Sequence, residues 1–256
     1  MDKRIAAYFK NLAFTSVPQL SVNCVIFGFY AKQLHVVVNK LCAGKRTIHL
    51  LPGGFVGQEE DVADAVQRIV RESTGLEKIL FKQFAVFGDA DRSFPNEINQ
   101  FLKSFGSDAG TASAWFSKRF VSICYMALVD FQRIELKPTQ FLDAAQWLPV
   151  TKAKTLAMDH GKIAKAAHES LKKELPYAPL ASNLLPARFT LPELHSLVEA
   201  ILERPVDRPN FRRKVLKSGM LIKVGQDKSG RRRPADLYAF RHGRRTSLID
   251  EFRFGF

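Results

Sequence analysis

The sequence predicts an α+β protein of two domains, a strand-and-helix half followed by a smaller helical domain closed by a strand pair. Three observations predict it. Strand-like runs alternate with turns and one amphipathic helical pattern between Val22 and Phe131. Two capped helical patterns and two strand-like runs follow one another between Thr190 and Phe240. Charge divides the same way: Arg204 to Arg245 holds 14 Lys/Arg against 3 Asp/Glu, whereas the rest of the 256-residue chain holds 25 against 22.

Composition excludes several classes. With 46% hydrophobic and 25% charged residues the chain is neither a disordered tail nor a fibre. No apolar stretch approaches the roughly 20 residues a membrane helix needs, so no membrane span is read, and the expected partners include no membrane. The start, MDKRIAAYFKNLAF, lacks an apolar block with a small-residue cleavage site, so no secretory signal is read. Three cysteines (Cys24, Cys42, Cys124), none in a C-x-x-C pair, do not make a disulfide framework, and a reducing cytoplasm is the expected location. The net charge of +14 attracts polyanions, with nucleic acid the leading candidate and an anionic membrane surface the runner-up.

Val22–Tyr30 and Leu34–Leu41 are rich in β-branched and aromatic residues, and the three residues between them suit a hairpin. Pro52-Gly53-Gly54 is read as a break in regular structure. From Asp61 to Glu72, Val62, Val66, Ile69 and Val70 recur at helical spacing, and Gly75 stands where a C-terminal cap belongs. Phe81–Gly88 and Arg119–Phe131 read as further strands. Between them Ser93–Lys118 is a long, small-residue connection, a functional loop or a partly disordered one. His160–Leu175 is composed of good helix formers and is stopped by Pro176 and Pro179. The expected division is 1–150, a helical segment and linker at 151–182, a second domain at 183–245 and a tail at 246–256.

In that second domain Thr190 and Glu193 form a capping box, and Leu194, Leu197, Val198, Ile201 and Leu202 share one helical face. Asp207 can cap a second helix with Pro209 in its first turn, running Asn210–Ser218 and ended by Gly219. MLIKV, a basic loop and ADLYAF follow. Helix, turn, helix and a two-stranded wing is the order of a winged helix-turn-helix. At about 100° per residue, Phe211 and Val215 take one side of the second helix, while Asn210, Arg213, Lys214 and Lys217 take the other. Long donors opposite a buried face suit the reading of double-stranded DNA. Arg208 and Arg212 add to the charge of this helix, and Lys228, Arg231, Arg232 and Arg233 in the wing loop suit phosphates or the minor groove. Against this stands a solvated basic helix with no partner. An RNA partner also stays open, although the segment lacks an aromatic stacking surface.

Gly54 to Leu76 reads GFVGQEEDVADAVQRIVRESTGL and resembles the Nudix box, G-x5-E-x7-R-E-U-x-E-E-x-G-U with U aliphatic. Gly54, Glu60, Arg68, Val70, Glu72, Gly75 and Leu76 match, whereas Ile69 and Ser73 replace two of the box's acids. The family's enzymes hold Mg²⁺ or Mn²⁺ on clustered carboxylates of one helix to hydrolyse pyrophosphates, and such ions need several oxygen ligands. Positions 69, 72 and 73 share a face on which only Glu72 keeps a carboxylate. No metal site, no cofactor and no catalytic residue is therefore expected. Gly54, Glu60, Arg68, Glu72 and Gly75 are read as a vestigial box whose residues serve turns and ion pairs.

A degenerate Nudix-like α/β/α sandwich domain followed by a winged helix resembles the Nudix-related bacterial transcription regulators. That family includes repressors of NAD metabolism that sense ADP-ribose and a Bacteroidetes branch that senses L-arabinose. NLLPARFTLPELHSLVEAI and DRPNFRRKV look most like the arabinose branch, and FGDADR, RFVSICYMALV and MDHGKIAKAA are also family-like. The resemblance implies a homodimeric repressor on operator DNA, controlled by a small-molecule effector: L-arabinose, another sugar, or ADP-ribose. It places that effector in the old substrate cleft, near Glu60, Glu72, Phe87, Asp89, Asp91 and Arg92. His160 is read as a cap or core contact. Ser93–Lys118 departs from the family pattern. The alternative is a residual pyrophosphohydrolase with a non-specific basic tail.

Overall fold

The computed structural model describes residues 15–43, 46–76, 79–98, 114–136, 144–174, 181–227 and 234–241. Among these, two compact units are formed. The first takes the residues up to Ile26 and those of 36–127 and 134–167, and the second takes those of 27–35, 128–133 and 168 onward. The division thus falls between Ala167 and His168, inside the helix that the sequence places across the expected linker.

A seven-stranded sheet dominates the first half of the chain. Its strands are β1 (Ser16–Tyr30), β2 (Gln33–Ala43), β3 (Arg46–Leu50), β4 (Gly53–Gly57), β5 (Lys82–Phe87), β6 (Val121–Val129) and β7 (Ala144–Pro149). The order is β3-β2-β1-β6-β5, with β4 paired to β1 and β7 to β2. β1 is central, and Ser21–Gly28 is buried on both faces, which is why that stretch reads as a continuous apolar run and not as an alternation. Cys24 and Cys124 lie buried as free thiols in this sheet, and burial pushes the Cys124 thiol up to about 12.

The expected break at Gly53-Gly54 is corrected: these residues open strand β4, in antiparallel register with Asn23 and Val22 of β1. Glycine serves close approach here, not interruption. A Cβ on Gly53 would lie 2.6 Å from Asn23 Oδ1 and 2.9 Å from the Val22 carbonyl. Helix α1 (Val62–Thr74) follows, burying Ala65, Val66, Ile69, Val70, Ser73 and Thr74. It ends at Gly75 in the left-handed conformation, φ 71°, whose N–H donates to the Arg71 carbonyl. The connection after β5 is described only at its two ends. Residues 99–113 lie outside those described, but Trp115 is buried at 7% exposure. Its ring sits edge-on to Phe55 at 4.9 Å and to Phe120 at 4.8 Å.

Helix α2 (His160–Glu174) leads to the second-domain elements β8 (Phe189–Thr190), α3 (Leu191–Leu202), α4 (Arg208–Lys217), β9 (Leu221–Asp227) and β10 (Ala235–Phe240). The sheet order is β8-β10-β9, so the wing has a third, two-residue strand. The capping box forms as read: Thr190 Oγ1 accepts the Glu193 N–H, and Glu193 accepts the Thr190 N–H. Leu194, Leu197, Val198 and Ile201 line the core with Phe189, Phe211, Val215 and Tyr238. Leu202 is only half-buried. From α2, His168 Nε2–H donates to the Ile201 carbonyl at 2.8 Å, and Lys172 pairs with Glu203 at 2.8 Å.

Candidate nucleic-acid interface and effector cleft

Helix α4 begins at Arg208, two residues before the expected start, because Pro209 occupies its first turn. Asp207 Oδ1 accepts the Asn210 N–H at 2.9 Å, the cap its position suggested. Phe211 and Val215 are buried, while Arg208, Arg212, Arg213 and Lys217 are exposed and Asn210 and Lys214 are half-buried. Arg213 Nη2–H donates to Asn210 Oδ1 at 2.9 Å, so these two side chains are coupled on this face. Lys228, Arg231, Arg232 and Arg233 lie outside the described residues.

Two residues that sequence reasoning missed hold α4 in place. His195 Nε2–H donates to the Val206 carbonyl at 2.8 Å, and its ring meets Phe211 edge-on at 5.0 Å. Glu199 Oε1 accepts the Val206 N–H at 3.0 Å. Together they close the turn between α3 and α4 and orient the apolar face of α4. The available signal was a pair of polar residues four apart beside the apolar face of α3.

Around the box, one arginine organises the carboxylates. Arg68 Nε–H and Nη2–H donate to the two oxygens of Glu60 at 2.7 and 2.8 Å, and Nη2 also reaches the Phe55 carbonyl at 2.9 Å. Glu60 accepts the Gly57 N–H as well, and its carboxyl is held below the usual carboxylate range, chiefly by Arg68. Glu72 lies 3.7 Å from Arg68. Ile69 packs against Gly54, where a Cβ would approach it to 3.2 Å. Ser73 Oγ–H donates to the Ile69 carbonyl and is 2% exposed. This donor set does not fit a hard divalent cation: one acid position is apolar, another spends its hydroxyl on the backbone, and Glu60 is neutralised. Among the described residues no group of three His, Cys, Asp or Glu is placed to hold a metal.

The FGDADR residues separate by role. Phe87 ends β5 opposite Ser122. Asp89 and Asp91 are exposed and supply turn carbonyls to the Arg92 and Ser93 N–H groups. Arg92 is buried and donates through Nε and Nη2 to Asp159 at 2.6 and 3.1 Å and through Nη1 to the Phe120 carbonyl at 2.8 Å. Its guanidinium is thus engaged within the domain. Asp159 was not singled out in the sequence, since it stands 67 residues from Arg92. Beside it, His160 Nδ1 accepts the Leu51 N–H at 2.9 Å, a core contact that requires the neutral ring.

Burial lowers His160 from 6.5 to about 4, against the Asp159 charge and with that of Arg92. The folded state therefore binds fewer protons than the unfolded state between these values. Stability from this group is complete above about pH 6.5 and lost as pH falls toward 4. Denaturation midpoints measured across that window are expected to fall less steeply in His160→Gln than in the wild type. An equal fall in both would remove His160 as the cause.

The fold and these sites define a two-domain class, a Nudix domain followed by a winged helix. Residues 17–167 match the family model for the NUDIX domain, and residues 181–240 match that for the NrtR DNA-binding winged helix domain. The chain belongs to the Nudix family. It is 28% identical over 228 residues to the "ADPR responsive transcriptional repressor NtrR" of Acinetobacter baylyi, covering 87% of this chain and 82% of that protein. Among solved structures it is similar to Shewanella oneidensis NrtR complexed with a 27mer DNA, with TM-score 0.64 and 26% identity. That similarity covers 87% of this chain and 94% of the other. A MutT/nudix family protein from Enterococcus faecalis shares the fold, with TM-score 0.62 and 19% identity over 94% of this chain and 99% of its own.

Proposed function

We propose that this chain is an effector-responsive transcriptional repressor that binds operator DNA through α4 and senses ADP-ribose in its Nudix domain. The observation that carries the proposal is α4 itself. It is a capped helix that buries Phe211 and Val215 and turns Arg208, Arg212, Arg213 and Lys217 outward. Asn210 and Lys214 complete that face, and we assign Lys228, Arg231, Arg232 and Arg233, which lie between β9 and β10 in the sequence, to phosphates or the minor groove. The matched winged-helix family and the DNA-bound relative support this reading.

ADP-ribose is preferred over L-arabinose because the Acinetobacter baylyi relative is named for response to ADPR, and none of these relatives is named for a sugar. The effector contacts we assign are Phe87, Asp89, Asp91 and the box carboxylates Glu60 and Glu72, with Arg92 holding their segment in place. The protein acts as a homodimer in the cytoplasm, effector binding changing the spacing of two winged helices. Hydrolysis is not its role, since Ile69 and Ser73 leave the box without its ligand set. Among the described residues no helix is long and apolar enough to cross a membrane.

Titration of a protein–operator complex with ADP-ribose tests this. ADP-ribose is expected to lower DNA affinity at least about tenfold, a coupling of about 1.4 kcal/mol, while L-arabinose leaves it unchanged. Response to L-arabinose alone would transfer the protein to the sugar-sensing reading, and response to neither would overturn the effector assignment. Turnover of ADP-ribose with Mg²⁺ or Mn²⁺ that is lost in Glu72→Gln would favour the residual hydrolase instead.

A further inference from the structure

Lys223 and Gln226 stand three apart on β9, so an unbroken strand would send them to opposite faces. The register against β10 prevents this. Leu237 faces Gly225 and Tyr238 faces Lys223, leaving Val224 as an extra residue in a β-bulge. The bulge resets the alternation. Gln226 then lies opposite Asp236 and Lys223 opposite Tyr238, two positions of β10 that share a face.

Both side chains converge on one carboxylate. Lys223 Nζ lies 2.7 Å from Asp236 Oδ1, and Gln226 Nε2–H donates to the same oxygen at 3.1 Å. These partners, Lys223 first, hold the Asp236 carboxyl below its ordinary value, and the charge of Arg212 on α4 contributes. An ammonium has three N–H donors and a carboxamide two, so each group keeps donors after serving Asp236. Lys223 is 53% exposed, so its remaining donors face solvent. Nothing in this cluster is needed to close the core, which the buried Tyr238 and Phe189 serve.

We infer that Lys223 and Gln226 bind a backbone phosphate of duplex DNA, in exchange for Asp236, which masks Lys223 in the DNA-free protein. The bulge is the device that assembles the site, and Asp236 restrains its charge until a phosphate competes for the ammonium. The inference rests on the DNA-binding reading above. It adds a contact on the strand face of the wing to those on α4.

The test is fluorescence anisotropy of the full chain with a labelled mixed-sequence DNA duplex across a salt series. Lys223→Gln is expected to make the slope of log affinity against log salt shallower by about 0.9, one phosphate contact, with Lys223→Arg restoring it. Gln226→Ala should weaken binding without changing the slope, since it removes no charge. Asp236→Asn should bind the duplex severalfold more tightly than the wild type. Lys223 is exposed, so its variants are expected to unfold at the wild-type temperature. A wild-type slope in Lys223→Gln would overturn the clamp while leaving DNA binding standing. Unchanged or weaker binding by Asp236→Asn would overturn the masking role. If the wild type bound no duplex even at low salt, the DNA-binding reading itself would fall, and the clamp with it.

Discussion

Asp159→Ala is expected to destabilise the Nudix domain by about 3–5 kcal/mol, the cost of leaving a buried charge without its partner. Arg92 and Asp159 are 7% and 9% exposed, and the guanidinium has exchanged water for Asp159 and the Phe120 carbonyl. Removing the carboxylate strands the cation where solvent cannot reach it. Replacing both partners, Arg92→Met with Asp159→Leu, should cost much less, because no unpaired charge remains. Chemical denaturation of the two variants separates these outcomes. Equal losses would mean that packing, and not charge, dominates at this position. The single variant should also loosen the FGDADR turn, since Arg92 is its anchor to the rest of the domain.

Arg213→Ala combined with Lys214→Ala is expected to weaken specific DNA binding by well over tenfold, at about 1–3 kcal/mol for each good base contact. Helix α4 should stay folded, because its cap at Asp207 and its buried residues Phe211 and Val215 are untouched. Arg213→Lys should also lose specificity, since an ammonium cannot reproduce the planar fork that pairs with guanine or with Asn210. Affinity measured on operator and mixed-sequence duplexes distinguishes a reading contact from a phosphate contact. The first changes their ratio, and the second lowers both together. Unchanged operator binding by the folded double variant would remove α4 from the reading role.

Local chemistry was legible in the sequence and long-range pairing was not. Thr190 with Glu193, Asp207 with Asn210, and Gly75 act within three or four residues, where spacing alone states the hydrogen bond. The Arg68–Glu60 ion pair, eight residues apart, was legible only through the Nudix-box pattern that contains both residues. Short strands escaped because their patterns are too brief: β3 and β4 have five residues each and β8 has two. Gly53 misled because its freedom suggests a break, while the sheet uses its missing side chain to admit Asn23. In the sequence Arg92 reads as a candidate effector contact that could equally be a turn or core residue. Its partner Asp159 is set by tertiary packing that no local periodicity encodes. The bulge at Val224 was invisible for a related reason, since it exists only in the register between β9 and β10.

The most direct test of the central claim is selection of bound fragments from the source genome at about 0.15 M salt, where non-specific binding is already weak. The account predicts enrichment of one inverted-repeat sequence, its half-sites spaced for two winged helices, and loss of that enrichment in Arg213→Ala with Lys214→Ala. Folded protein that enriches no sequence would contradict it and leave the basic segment a non-specific patch.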